Sequence, residues 1–254
     1  MVIKKSQLAK RRFYRVVGAA LVGIGTCIST QTHANTVTLP PFSVGLPGWQ
    51  TVILDPDVAP NAFTFKTWGD RAAVQVDSDN SMSLLATDVA VDLQETPFLC
   101  WWWRVAGSLK TADMRVKSGD DFAARVYVSV EVPDDQMGLG RRLQLGLARA
   151  IWGSALPDGA INYVWDNQQA IGHEQANAYT DLAQMIVLQT GDSLADQWVP
   201  QVRDVGQDIE RLFGPGTQIK QVAVTTDTDN TGEQMRAGFA DLRFTDDPAK
   251  CPIL

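Results

Sequence analysis

Apolar and polar residues alternate in short runs along most of this chain. WQTVIL, AFTFKTW, AAVQV, MSLLAT, FLCWWWRVA, FAARVYVSVEV, INYVW, QMIVLQT, IKQVAVTT and FADLRF each carry two-residue alternation or β-rich composition. That is the signature of strands with one buried face. Turn-forming clusters separate many of them, among them Leu46-Pro47-Gly48, Asp77-Ser78-Asp79-Asn80, Lys117-Ser118-Gly119-Asp120 and Pro133-Asp134-Asp135. Ten or so short strands, mostly antiparallel, predict a mainly β chain folded as a jelly-roll-like β-sandwich. Two segments switch to helical spacing. In GLGRRLQLGLARAIWG, Leu139, Leu143, Leu147 and Ile151 recur every four residues and form an apolar stripe, with Arg141, Arg142 and Arg149 off it. In VRDVGQDIERLFGPG, Val202, Val205, Ile209, Leu212 and Phe213 make a second stripe, Gly214 suits the position after the helix, and Pro215 blocks continuation. Both are expected as short peripheral helices, the second packed on the sandwich rim.

The run Phe98–Gly107 places three tryptophans side by side. Alternation sorts them: Leu99, Trp101, Trp103 and Val105 share a wholly apolar face, while Phe98, Cys100, Trp102 and Arg104 share the other. Trp101 and Trp103 are thus assigned to the core. In FAARVYVSVEV the apolar face is Phe122, Ala124, Val126, Val128, Val130 and Val132, opposite Asp121, Arg125 and Tyr127. Consecutive strands usually pair, and on that premise one sheet face carries Trp102, Arg104, Asp121, Arg125 and Tyr127. Rings that stack on sugars, with carboxylates and guanidinium groups that bond hydroxyls, make this face a candidate glycan platform. The alternative is a solvated face held by Asp/Arg pairs.

The N-terminus changes the picture of where the protein works. Residues 1–34 begin with six basic residues and no acid, continue through VVGAALVGIGTCI and end at Thr32-His33-Ala34, the order of a cleaved secretory signal. A single β-sandwich domain over residues 35–254 follows, placed in the periplasm or outside the cell. Export by the general or the twin-arginine route stays open, and lipidation at Cys27 is disfavoured by the Thr before it. Without the signal, 16 Lys and Arg stand against 29 Asp and Glu, a formal net charge of −13. Such a field disfavours nucleic acid and anionic membrane surfaces as partners. Composition is silent on oligomeric state. Cys100 and Cys251 are the cysteines left in a compartment where disulfides persist, and the sequence leaves open whether they pair.

Little here resembles a reactive centre. The domain has a single histidine, His173, no G-x-S-x-G elbow, no phosphate loop and no His/Cys ligand set. Carboxylates remain. Asp120 and Asp121 are adjacent and would point to opposite faces of a strand, so a glycosidase pair needs a further acid, such as Glu131 or Asp166. In TTDTDNTGE, Asp227, Asp229 and Asn230 offer alternate oxygen ligands that suit Ca²⁺, although Gly238 stands where an EF-hand needs Glu. The competing reading is an Asx turn bonding its own backbone. No cofactor is required by either.

GDDFAARVYV, INYVW, VLQTG, the W-x-x-x-x-R-D-V-x-x-D-x-x-R-x-F-G run from Trp198 to Gly214, TDTDNTG and FADLRF together resemble a bacterial family of uncharacterised secreted proteins, domain of unknown function family 3047. The stretch MGLGRRLQLGLARAIWGS departs from that pattern as an insertion. The resemblance implies a β-sandwich and assigns no activity. Three functions are therefore carried forward: a binding module for a glycan or cell-envelope polymer, a carboxylate-based polysaccharide hydrolase or lyase, and a structural or protein-interaction module.

Overall fold

The structure, a computed structural model, describes residues 35–42, 47–152 and 157–252. The segment expected as a secretory signal, Cys27 and the cleavage position expected after Ala34 lie outside them. Among the described residues the strands are β1 Thr36–Thr38, β2 Gln50–Val52, β3 Ala62–Trp68, β4 Arg71–Asp79, β5 Leu84–Asp88, β6 Phe98–Val105, β7 Phe122–Glu131, β8 Gly159–Asp166, β9 Glu174–Ala176, β10 Ala183–Thr190, β11 Val199–Asp204, β12 Gln218–Asp227 and β13 Gln234–Thr245. The helices are α1 Leu139–Trp152 and α2 Val205–Phe213. A six-stranded sheet has the order β11-β6-β13-β4-β3, with β1 also paired to β13, and a seven-stranded sheet has the order β2-β5-β12-β7-β8-β10-β9. The two form a jelly-roll-like β-sandwich. No helix among the described residues is long and apolar enough to cross a membrane.

Three strands carry no alternation signal. β1 and β9 are three residues long, and β11 contains Pro200. β9 and β11 are sheet edges, where a short strand or a proline without an N–H costs little pairing. One pair, β8 with β10, is parallel. The chain leaves β8, forms β9 at the edge, and returns to place β10 between them.

The core lies where the two inner faces meet. Trp101 and Trp103 are fully buried and touch edge-to-face at 5.5 Å between ring centroids. Across the sandwich Trp101 meets Tyr163 and Trp103 meets Trp165, each pair at 5.7 Å, so these rings bond one sheet to the other. From β7, Ala124, Val126, Val128 and Val130 join the same core. Phe122 does not. A register shift between β12 and β7 at Thr225/Asp227 turns it to the outer face, where it packs with Met114, Val164, Met185 and Val187.

The premise that β6 and β7 lie side by side is overturned. β6 pairs with β11 and β13, and β7 pairs with β12 and β8, in the opposite sheet. Each strand has an apolar inner face, and the two faces bury against the common core from opposite sides. Segment 106–121 therefore connects the sheets instead of closing a hairpin.

α1 forms where helical spacing predicts it, but Leu139 and Leu143 are 80% and 71% exposed. The buried side carries Leu145 instead, and the Arg141 guanidinium donates to the Asp158 carbonyl at 3.1 Å and lies over the Phe213 ring. These anchors rotate the Leu139/Leu143 stripe outward; the side chains of Leu147 and Ile151 lie outside the described ones. α2 matches its pattern more closely. Asp204 caps it by accepting from the Gln207 N–H at 2.8 Å, Val205 and Ile209 are buried, and Gly214 ends it at φ 95°. Val202 belongs to β11 and is exposed. Cys100 and Cys251 form a disulfide, Cα to Cα 5.5 Å, tying the tail beyond β13 to β6.

Candidate functional site

The outer face of the seven-stranded sheet is built from the residues opposite the core positions of β7 and β8. Register places Tyr127 beside Asn162 and Arg125 beside Val164. Two apolar clusters cover this face on either side. One holds Leu84, Ala86 and Ala223 with Met82 and Tyr127 against them; the other is the Met114/Phe122 cluster. Between them opens a cavity of about 320 Å³ whose floor is Arg125, Tyr127 and Asn162. Its walls carry Asp120 from the loop before β7, Asp227 at the end of β12, Asp229 from the β12–β13 turn, and Asn177 and Tyr179 from the β9–β10 turn.

The walls are held by hydrogen bonds that the loops make to each other. Asp121 accepts from the backbone N–H and side-chain amide of Asn230, at 3.2 and 3.1 Å, and from the N–H and hydroxyl of Thr231, both at 2.7 Å. This fixes the β12–β13 turn against the start of β7. Asp227 accepts from the Phe122 N–H at 2.9 Å and pairs with the Arg125 guanidinium, which also lies over the Phe122 ring. Asn177 donates to one oxygen of Asp120 at 2.7 Å. The Tyr179 hydroxyl sits 2.6 Å from Asn230 Oδ1 and 3.0 Å from the Lys117 carbonyl oxygen.

Several buried polar atoms on these surfaces have no such partner. Asn162 is 0% exposed, and neither its Oδ1 nor its Nδ2 is hydrogen-bonded. Asp120 is 5% exposed, and its Oδ1 is likewise unpartnered, as is Nε of Arg125. Each such group carries the full cost of its desolvation, about 1–3 kcal/mol.

The electrostatics follow from four carboxylates around one guanidinium. Burial raises Asp227 to about 8 against the pull of Arg125, and Asp121, Asp120 and Asp229 add to the rise. Asp120 is raised by burial, with Arg125 and the Asn177 hydrogen bond opposing. Asp229 is raised by burial and by Asp121. Burial works against the charge of Arg125, but Asp227 and Asp120 hold its pKa above the ordinary value. Burial also raises the Tyr127 hydroxyl. The site thus combines surplus acceptors, a fixed cation and two tyrosine rings, a set suited to a ligand rich in hydroxyls or carrying positive charge.

The five residues expected on one face are divided between two. Asp121, Arg125 and Tyr127 belong to the seven-stranded sheet, whereas Trp102 and Arg104 lie on the outer face of the six-stranded sheet, across the sandwich. There the Arg71 guanidinium covers the Trp102 ring at 3.7 Å and leaves that residue 8% exposed. Arg104 pairs with Asp196 at 2.9 Å and lies against Trp68. No single platform carries all five. Among the turn residues, Asp227 and Asp229 gather with Asp121, an oxygen from each lying within 4.8 Å of the others. Asn230 is engaged by Tyr179 and Asp121 instead.

Sequence reading passes over Asn162, Asn177 and Tyr179, and it weighs Asp120 only as the neighbour of Asp121 in a carboxylate pair. For Asn162 a signal existed: an amide in the otherwise apolar strand INYVW. Asn177 and Tyr179 sit in a turn, where no periodicity marks them, and Asp120 precedes its strand instead of lying in it.

Among solved structures, the fold is similar to a xylan-binding module CBM15, at 10% identity and TM-score 0.36 over 84% of this chain and 97% of that one. It is also similar to the xyloglucanase domain of NopAA, a type three effector from Sinorhizobium fredii, at 11% identity and TM-score 0.38 over 78% and 92%. A family 12 xyloglucanase from Bacillus licheniformis aligns at 10% identity and TM-score 0.35 over 78% and 86%. Similarity at this level identifies neither ligand nor reaction. No curated protein matches the chain by sequence. The family model described as Protein of unknown function (DUF3047) matches residues 47–243, from the turn before β2 into β13. This chain is a member of that family.

Proposed function

We propose that this is an exported glycan-binding protein whose ligand enters the cavity over Arg125, Tyr127 and Asn162. The observation that carries the reading is Asn162, a fully buried amide on a central strand with neither atom bonded, at the floor of an accessible cavity. A side chain there costs stability unless something supplies its partners, and sugar hydroxyls both donate and accept. Tyr127 and Tyr179 provide ring surface, and Asp120 provides a further acceptor. The basic, apolar and small-residue order of residues 1–34 supports a periplasmic or extracellular setting, where envelope polymers are the available glycans.

A carboxylate-based hydrolase or lyase is the second reading, favoured by the convergence of Asp120, Asp227 and Asp229 on one cavity. A screen of the purified protein against envelope oligosaccharides, with reducing-end release followed in parallel, separates the two. Binding without release, lost in Asn162→Ala, supports the binding module. Release supports the hydrolase, and silence in both channels rejects the cavity as a glycan site.

A further inference from the structure

We infer that this cavity takes the non-reducing terminal residue of an uncharged glycan and does not admit the chain's interior, a specificity that rests on the glycan reading. At about 320 Å³ it has the volume of about ten water molecules of about 30 Å³ each, room for one sugar ring with its hydroxyls and not for a run of rings. That is the bottom of the range of small-molecule sites, about 300–1,000 Å³. A polymer laid along a sheet needs a path that is open at both ends. Here the end of the floor where β7 begins and β12 finishes is barred. Tyr179 reaches across it from the β9–β10 turn, its hydroxyl 2.6 Å from Asn230 Oδ1 in the β12–β13 turn and 3.0 Å from the Lys117 carbonyl oxygen before β7. Asp121 holds Asn230 in place, and Asn177 ties Asp120 to the same wall. Leu54 and Val58 after β2, with Met82 before β5, add an apolar side. A chain lying over Arg125, Tyr127 and Asn162 stops at this barrier.

The floor favours the same residue. The unpartnered Asn162 amide presents a donor and an acceptor side by side, which two neighbouring hydroxyls satisfy, one accepting from Nδ2 and the other donating to Oδ1. A residue inside a chain has given one of its ring hydroxyls to the next glycosidic bond, whereas the non-reducing terminal residue has kept all of those away from its anomeric carbon. Charge then selects among termini. Arg125 is the one cation among the described residues lining the cavity, and Asp227 already pairs with it, while Asp120 and Asp229 stand in the walls. A uronate or a phosphorylated sugar would meet carboxylates and no free cation, and like-charge contact of that kind suppresses wrong partners.

For each glycan that binds in the screen, a ladder from disaccharide to hexasaccharide and the parent polymer are titrated calorimetrically into the purified protein. Affinity per chain should stay level along the ladder, and the polymer should saturate with one protein per chain. Borohydride reduction of the reducing end should leave binding of the longer members unchanged, and the same ladder oxidised to uronates at its primary hydroxyls should not bind. Tyr179→Ala, a change at an exposed side chain, removes the barrier and should make affinity climb with chain length, because interior residues then compete for the floor. Several proteins per polymer chain, wild-type affinity that rises along the ladder, loss of binding on reduction, equal binding of the uronates, or a Tyr179→Ala profile as level as the wild type's would each overturn the inference and leave the glycan reading standing. Absence of binding by every glycan would overturn both.

Discussion

Opening the Cys100–Cys251 disulfide should cost this protein a large fraction of its stability, chiefly through the unfolded chain. The bond spans a sequence separation of 151. Loop-closure entropy, −2.1 − 1.5R ln n, then comes to about 17 cal/mol/K, or about 5 kcal/mol at 25 °C. That equals a third or more of an ordinary domain's stability of about 5–15 kcal/mol. Few native contacts should change, because the tail is also held by the Arg243 guanidinium donating to the Lys250 carbonyl at 3.0 Å and by the Asp246–Lys250 ion pair. The test is guanidinium unfolding of the wild type, oxidised and reduced, beside Cys100→Ala/Cys251→Ala. The expected result is a lower midpoint and a steeper slope with denaturant, since an unclosed chain exposes more surface when it unfolds. Equal midpoints for the oxidised and reduced forms, with slope unchanged, would refute the reasoning and leave the tail held by its non-covalent contacts alone.

Trp101→Ala and Trp103→Ala should each destabilise by about 3–5 kcal/mol in denaturant titrations, since both rings bridge the sheets. Trp102→Ala should also cost stability, because Arg71 seals its ring, and should leave glycan binding unchanged in the oligosaccharide screen. Asn162→Leu should hold or raise the melting temperature while abolishing ligand binding, since a buried amide without partners is replaced by an apolar side chain of similar size. Asp192 is held down to about 2 by the Lys110 ammonium and by the Ser108 N–H and hydroxyl. A depressed carboxylate stabilises the fold above its ordinary value near 3.9, and that stability drains away as pH falls through about 2. Melting curves from pH 5 to 2 should therefore show a shallower acid loss in Asp192→Asn than in the wild type.

Local pattern and non-local order were legible to different degrees. Alternation placed Trp101 and Trp103 inward and Trp102 outward, because facing is a property of a single strand. Which strands become neighbours is decided by how whole faces bury, and no residue within β6 or β7 states that they belong to different sheets. The bulge at Phe122 and the rotation of α1 are similar cases. Each is set by a partner far along the chain, Asp227 for one and Asp158 with Phe213 for the other. In the cavity, Arg125, Tyr127, Asp227 and Asp229, with Asp121 behind them, were visible as polar positions in or beside strands. Asn177 and Tyr179 had no such mark, because they reach the site from a turn.

That turn joins β9 to β10, the edge strand to the one threaded in beside β8. The cavity floor belongs to β7 and β8, whose other faces build the core, so a change there is felt throughout the protein. The wall bearing Asn177 and Tyr179 hangs from an edge hairpin, where exposed Tyr179 can be exchanged without disturbing a central strand, whereas Leu182 at the end of the turn accepts from the Ala160 N–H of β8 at 3.0 Å and packs on the core. On the proposed reading, selectivity and foldability fall on different stretches of chain, because exchanges at Asn177 and Tyr179 alter the cavity wall while its floor on β7 and β8 stays as it is.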